Sequence, residues 1–321
     1  MDYKQKKCRG NKMKTISIII PCYNEESNLH SLYETLTSFI NSQQNYQWQI
    51  LMIDDGSIDN TLQILQQIRK EDSRFCYISL SRNFGKENAM LAGFDYTKGD
   101  CSIIIDADLQ HPIHIIPEMI KLWEQGYDDV YGKRNSRGKE SWLRKKLSLS
   151  YYHILQKMAK IDILPNVGDF RLLDKKCINT LKKLRETQRY TKGLYCWIGF
   201  QKKEITFDQK DRTKGNSSFN YVSLFNLAIE GITSYSIAPL RISTLLGIMV
   251  SIIAFLYMCF VFFKTIILGE PVHGFPTLII AILFLGGVQL LSLGIIGEYL
   301  GRIFIETKHR PVYIINKKEG V

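Results

Sequence analysis

The chain has 321 residues, 42 Lys+Arg against 31 Asp+Glu and a formal net charge of +11. That length holds one large domain or two ordinary ones around a sizeable core. At 45% hydrophobic and 23% charged residues it is too apolar for a disordered tail or a coiled coil, and its scattered basic residues form no nucleic-acid reader motif. Cys8, Cys22, Cys76, Cys101, Cys177, Cys196 and Cys259 make no CxxC pair and no even framework, which fits a reducing compartment.

Residues 1–14 are basic without the apolar core of a signal peptide, and read as an N-terminal extension. Ile16–Ile20 is a β-branched run ending at Pro21, and Leu29, Leu32, Tyr33, Leu36 and Ile40 then repeat at helical spacing. Gln49–Ile53 predicts a second strand, Leu62, Leu65 and Ile68 a second helix, and Cys76–Leu80 a third strand. A helix around Glu87–Phe94 and a strand at Cys101–Ile105 follow. Such alternation predicts an α/β fold whose parallel sheet is covered on both faces.

Polar clusters stand at the carboxyl ends of three of these strand runs: Pro21-Cys22-Tyr23-Asn24-Glu25, Asp54-Asp55-Gly56-Ser57 and Asp106-Ala107-Asp108-Leu109-Gln110. In a parallel sheet those ends share one edge, where open α/β folds bind ligands. Asp-Gly-Ser alone is ordinary turn chemistry, and a solvated acidic loop is the plain alternative for the last cluster. Asp106, Asp108 and Gln110 are nonetheless hard oxygen ligands at alternating positions, suited to Mg²⁺ or Mn²⁺ sharing its shell with substrate phosphates. No GxxxxGK[ST] and no GxGxxG follows the first strand, which excludes a P-loop and argues against a dinucleotide site. A nucleotide-sugar site remains.

Arg144-Lys145-Lys146 precedes an apolar stripe of Tyr151, Tyr152, Ile154, Leu155 and Met158, and residues 221–241 carry a second such segment. Both read as interfacial helices that join basic residues to aromatics, with ordinary core packing as the alternative. Between Ser243 and Gly297 only Lys264 and Glu270 are charged. Roughly 20 apolar residues cross a bilayer core, so 242–263 and 275–297 predict two transmembrane helices joined by a short extracytoplasmic loop at 264–274. Two buried core helices of a soluble protein would be the alternative. Arg212, Lys214 and Arg241 before the spans, and Arg302, Lys308, Arg310, Lys317 and Lys318 after them, place both ends and the soluble domain in the cytosol by the positive-inside rule. Residues 298–321 are then a cytosolic tail.

SIIIPCYNEE, LMIDDGSIDNT, SRNFGKENAMLAG, DADLQHP and GDFRLL, followed by the two spans and IGEYLGRIFIETKHRPVY, resemble the polyprenyl-phosphate glycosyltransferases of the family-2 GT-A type. That group includes dolichol-phosphate mannose synthases and bacterial bactoprenol glucosyltransferases, and the tail is most similar to the bactoprenol branch. The resemblance runs from Thr15 to about Ile315. It implies a Rossmann-like GT-A catalytic domain at 15–220, followed by the two helices. It further implies that Pro21, Tyr23, Glu25, Ile53 and Asp55 line the nucleoside pocket, that Asp106, Ala107 and Asp108 meet the diphosphate, and that Asp108 and Gln110 hold the metal. Arg134, Arg189 and Arg212 match basic positions at the nucleotide sugar. Arg144 and Ser148 match the lipid-phosphate element, and Asp169 matches an acid near the acceptor. One departure is Ser218, where the family commonly has a Lys after Gly-x-Ser; His111 and Ile113 also replace the more usual Asp and Pro.

The implied reaction is inverting transfer of glucose or N-acetylglucosamine from a UDP-sugar to undecaprenyl phosphate, with Mg²⁺ or Mn²⁺ as cofactor, for modification of a cell-envelope glycan. Implied partners are the bilayer, a flippase, a downstream glycosyltransferase and further copies of the chain. A GDP-mannose-dependent mannose synthase differs only in donor. A processive polysaccharide synthase is a poorer fit, because Gln188-Arg189-Tyr190 is not its Gln-x-x-Arg-Trp signature. A non-catalytic nucleotide sensor would not need the whole acidic cluster.

Overall fold

The computed structural model describes residues 13–134, 167–187, 189–207, 238–268 and 274–321. These fall into two compact units, one of residues 13–134, 167–207 and 311–321 and one of 238–310.

In the first unit β1 (Thr15–Cys22), α1 (Glu26–Ser42), β2 (Gln47–Asp54), α2 (Thr61–Glu71), β3 (Phe75–Leu80), α3 (Lys86–Tyr96) and β4 (Cys101–Ile104) alternate as the sequence pattern predicts. Burial explains the pattern: Ile16, Ile18, Ile19 and Ile20 are enclosed on both sheet faces, while α1 buries one stripe of Leu29, Leu32, Leu36 and Ile40. Helix α3 buries every residue from Ala89 to Phe94. Gly93 lets it lie against β1, since a Cβ there would overlap the Ile19 side chain.

After α4 (Ile116–Glu124) come β5 (Asp129–Arg134), β6 (Val167–Asp174), α5 (Lys175–Leu181), α6 (Thr191–Trp197) and β7 (Lys202–Phe207). A last strand, β8 (Ile315–Glu319), belongs to the same eight-stranded sheet, whose order is β7-β5-β6-β4-β1-β2-β3-β8. The sheet is mixed, which corrects the all-parallel expectation. Strands β4, β1, β2 and β3 are parallel, as are β5 and β7; β6 runs antiparallel to both β4 and β5, and β8 antiparallel to β3. Strand–helix alternation covered only the first four strands, and pairing direction beyond them is set by tertiary contacts. Lys317, Lys318 and Glu319 put charge on the outer edge, a usual guard against further strand addition.

In the second unit α7 (Ala238–Leu268) and α8 (Phe275–Thr307) are linked by a Ser243–Ser292 hydroxyl hydrogen bond of 2.9 Å. Many of their large apolar side chains face outward, among them Leu245, Phe255, Phe260 and Leu290. Among the described residues, one stretch, Phe284–Thr307, is long and apolar enough to cross a membrane, with a mean hydropathy of 1.4, and the apolar stretch of α7, Ile242–Tyr257, is shorter. By this measure the expectation of two crossing helices is met in α8 only. Residues 1–12, 221–237 and 269–273 of the expected extension, interfacial segment and loop lie outside the described residues.

Candidate active site

Strand register brings the three polar clusters to one place. Cys22 pairs with Asp54 and Ile19 with Ile104, so the chain leaves β1, β2 and β4 along one sheet edge. The loops are then fastened to each other. The Asn24 N–H donates to Ser57 Oγ at 3.0 Å, the Ile58 N–H to Asn24 Oδ1 at 2.9 Å, and the Glu25 N–H to Thr61 Oγ1 at 2.9 Å.

The paired aspartates at the end of β2 do different work. Asp54 is buried, accepting from the Ser57 N–H at 3.0 Å and the Ser79 hydroxyl at 2.8 Å, so it builds the turn. Asp55 accepts the Phe84 and Gly85 N–H groups at 2.7 and 2.9 Å and so anchors the entry to α3. Gly56, at φ +68°, sits so close to Arg82 that a Cβ would overlap its backbone.

Between these loops lies a cleft of about 280 Å³, lined by Pro21, Cys22, Tyr23, Glu25, Asp55, Asn83, Gly85, Lys86, Ala89, Asp106, Ala107 and Asp108. Lys86 is its charge centre. Its Nζ lies 2.6 Å from Asp106 Oδ1 and 2.9 Å from Asp169 Oδ2. Burial would lower the Lys86 ammonium, but Asp169 and Asp106 outweigh it and raise it. Burial would likewise raise the Asp169 carboxyl; Lys86, with Lys192 and Arg171 behind it, holds it at about 2. The other Asp169 oxygen, Oδ1, is buried with no hydrogen-bond partner among the described residues. Burial pushes the Glu25 carboxyl up; the Asn28 amide at 2.6 Å counters that, and Asp108 and Asp106 add to it.

His111 supports this centre from below. Its ring stacks on Phe170 at 4.8 Å, and its Nδ1 accepts the Asp106 N–H at 3.1 Å. Burial keeps the imidazole below its ordinary value despite Asp106 and Asp108. A neutral ring that accepts at Nδ1 carries its proton on Nε2, which lies 3.8 Å from Asp106 Oδ2. Leu109, at φ +57°, turns the loop so that Asp108 Oδ1 accepts the Gln110 N–H at 3.2 Å.

The donor set fits a divalent cation shared with phosphates. Asp106 and Asp108 offer hard oxygens to one cleft, but no group of three His, Cys, Asp or Glu among the described residues stands ready to hold a metal. Such a site leaves coordination positions for phosphate and water, as Mg²⁺ prefers.

Of the residues implied by resemblance, Pro21, Tyr23, Glu25, Asp55, Asp106, Ala107 and Asp108 meet in the cleft. Asp169 joins them through Lys86. Gln110 is buried beside Asp108. Arg134 ends β5 next to this group, since a Cβ on Gly168 would lie 3.7 Å from its Nη2. Ile53 is fully buried within β2 and does not line the cleft. Arg189 is also turned inward, donating to the carbonyls of Leu184 and Leu181 at 2.5 and 3.4 Å and to Thr191 Oγ1 at 3.2 Å; it secures the end of α5. Arg144, Ser148 and Arg212 lie outside the described residues.

Sequence reasoning passed over Lys86, Glu87 and the support from His111. Glu87 accepts the Thr191 N–H at 3.1 Å and so ties α6 to α3. For Lys86 a signal existed. It opens α3 directly after Gly85, and a cation at a helix N-terminus opposes the helix dipole, which calls for carboxylates nearby.

The acidic cleft lies at the carboxyl edge of the parallel strands of a mixed α/β sheet, and the match to a family model identifies the fold as that of a GT-A glycosyltransferase. The family model "Glycosyl transferase family 2" matches residues 17–181, and a second, "GtrB C-terminal hairpin", matches 238–303. The chain belongs to glycosyl transferase family 2. It is 44% identical over 306 residues to an uncharacterised glycosyltransferase, sll0501, of Synechocystis sp. (strain PCC 6803), covering 95% of this chain and 96% of that protein. It is 42% identical over 304 residues to the bactoprenol glucosyl transferase of Shigella phage SfV, covering 95% and 99%. Among solved structures, S. aureus TarS 1–349 in complex with UDP-GlcNAc is a distant likeness, 16% identical at a TM-score of 0.47, covering 69% of this chain and 66% of that one.

Proposed function

We propose that this protein is a membrane-bound glycosyltransferase that moves a hexose, glucose or N-acetylglucosamine, from a UDP-sugar to undecaprenyl phosphate. The product would serve cell-envelope glycan modification, with a flippase and an outer-face glycosyltransferase acting after it. The relative from phage SfV, similar over nearly its whole length, is named for glucosyl transfer to bactoprenol.

The observation that carries this reading is the return of the chain to the catalytic sheet. β8 follows α8 in sequence and pairs with β3 beside β2 and β1. Tyr313 donates to Asp95 at 2.5 Å, and Arg185 grips the same carboxylate at 2.7 and 2.8 Å. A chain that leaves one body and returns to it crosses a bilayer an even number of times. A crossing α8 then calls for a second crossing between β7 and β8, for which α7 is the candidate; this supports a multi-pass protein of the cytoplasmic membrane with its catalytic domain and both termini in the cytosol. A lipid acceptor cannot leave that membrane and a nucleotide sugar cannot enter it, so an enzyme that joins them belongs at its surface.

In this reading Pro21, Tyr23, Glu25, Asp55 and Ala107 hold the nucleoside and diphosphate, with Arg134 at the cleft's edge. Asp108 and Gln110, with Asp106, would hold Mg²⁺ or Mn²⁺, which supplies charge stabilisation for the departing diphosphate. The acceptor is a phosphate monoester whose second pKa is about 6, so near neutral pH its oxygen is already a nucleophile. That oxygen attacks the anomeric carbon, the bond to the diphosphate breaks, and the electron pair leaves with UDP. No proton need be removed. Asp169, held at about 2, is too weak a base to remove one and serves as fixed negative charge. Arg144 and Ser148 would receive the lipid phosphate.

The test is transfer from radiolabelled UDP-glucose, UDP-N-acetylglucosamine and GDP-mannose to undecaprenyl phosphate, with and without a chelator. A chelator-sensitive lipid product from a UDP-sugar is expected. Product only from GDP-mannose would replace the donor, and none from any of the three would overturn the reaction.

A further inference from the structure

We propose that Lys86 is a resident counter-cation which makes divalent-metal binding conditional on the nucleotide diphosphate. The inference rests on the nucleotide-sugar reading of the cleft and concerns how that site is assembled. Lys86 Nζ is within ion-pair distance of two carboxylates, at 2.6 Å from Asp106 and 2.9 Å from Asp169. It therefore occupies one oxygen of an aspartate assigned above to the cation's surroundings. The other Asp106 oxygen has the buried His111 at 3.8 Å. A cation arriving alone would meet a positive charge on one of its few ligands, and among the described residues no third His, Cys, Asp or Glu joins Asp106 and Asp108 to hold it.

Diphosphate changes this balance. It brings negative charge and oxygen ligands together, so the cation and Lys86 no longer compete for Asp106 alone. Lys86 can make the exchange because its side chain is 42% exposed, whereas Asp169 is 9% exposed. A lysine is a point charge on a flexible four-carbon stem, so it can release Asp106 while keeping Asp169. Its backbone stays fixed meanwhile, since Asp55 clamps the N–H groups of Phe84 and Gly85 immediately before it. Asp169 is thus the anchor of the clamp and Asp106 the exchangeable end. Lys86 acts through these carboxylates as a positioning residue.

The experiment is Mn²⁺ binding to the full-length protein in detergent, read by electron paramagnetic resonance, with Mn²⁺ alone and with UDP. Wild type should bind Mn²⁺ weakly alone and at least tenfold more tightly with UDP. Lys86→Met should bind Mn²⁺ alone at least tenfold more tightly than wild type, with a smaller gain from UDP. Lys86→Gln gives the same reading if the methionine variant does not fold, and Lys86→Arg should restore the wild-type pattern. Asp169→Asn should act in the opposite direction, because Lys86 then rests on Asp106 alone and Mn²⁺ binds more weakly. Loss of structure would weaken both ends together. Unchanged or weaker Mn²⁺ binding in both uncharged Lys86 variants, with UDP-dependent binding intact in wild type, overturns the role of Lys86 and leaves the donor site standing. No Mn²⁺ binding to wild type even with UDP overturns both.

Discussion

The two units use the same apolar residue types in opposite ways. Ile18 and Ile103 are fully enclosed between sheet and helices, whereas Ile253 is 59% and Leu290 72% exposed on the helical pair. In the second unit a polar contact, Ser243 with Ser292, lies between the helices instead. Water cannot be the partner of both surfaces, because an apolar patch of that extent marks an interaction or membrane-facing region. The first unit is organised by removing isoleucine from water, whereas the second leaves isoleucine outward, as the proposed membrane setting would allow.

The largest expected effect separates the chemistry of the first unit from the embedding of the second. Asp108→Ala should lower transfer by roughly 10²–10³-fold, the scale of losing a preorganised electrostatic contact in a closed site. The same protein should stay in the membrane fraction at wild-type yield. Transfer assays on membranes and on purified protein check this, and full activity in the variant would remove Asp108 from the site.

Next in size is a direct contrast of two isoleucines. Ile18→Ala leaves a cavity in a fully buried strand and should destabilise the first unit by about 2–5 kcal/mol. Ile253→Ala vacates an outward position and should change stability by less than about 0.5 kcal/mol. Denaturant unfolding of the detergent-solubilised protein, followed by near-UV dichroism, compares them. Equal costs would mean that the outward face of α7 is covered by protein.

How much of this contrast could be read from the chain depends on how local each signal is. β1 to β4 and α1 to α3 were legible because burial imprints a period on consecutive residues, as at Leu29, Leu32, Leu36 and Ile40. Strand β8 was not, because Ile315-Asn-Lys-Lys-Glu carries no apolar alternation and its pairing with β3 is decided in three dimensions. The spacing of Asp54 and Asp55 carries no sign that one closes a turn and the other holds the entry to α3; only the resemblance sets Asp55 apart. Arg189 stands out by its match to a family basic position, and a one-dimensional match does not show that its guanidinium also donates to carbonyls at the end of α5. Lys86 reaches carboxylates on two other segments, a relation that no spacing records.

A smaller effect concerns pH and sharpens the role of Asp169. An aspartate ordinarily titrates at 3.8, and this one is held at about 2. The unfolded chain therefore takes up the proton first as pH falls. The ion pair adds about 2 kcal/mol at every pH above 3.8 and loses it as pH falls from 3.8 toward 2. The difference in unfolding free energy between wild type and Asp169→Asn should thus be flat from pH 8 to pH 5 and shrink only in stronger acid. Over the same flat range transfer should fall below pH about 6, following the acceptor phosphate. Unfolding and rate profiles that moved together near pH 6 would make Asp169 a titrating base after all.

The smallest effect tests the inverted polarity of the helical pair. Ser243→Ala removes one side of the 2.9 Å bond to Ser292 without changing the outward face. Hydrogen bonds between membrane helices average about 0.6 kcal/mol, because hydroxyls released in a bilayer find backbone partners on their own helix. The variant should therefore lower thermal stability only slightly and leave transfer intact. A loss of several kcal/mol would mean that Ser243 and Ser292 sit in a desolvated contact where no substitute partner is available, and that the helices are held by a polar core. A change of zero would assign their association to packing alone, so the size of this one deletion decides between a polar and an apolar seam.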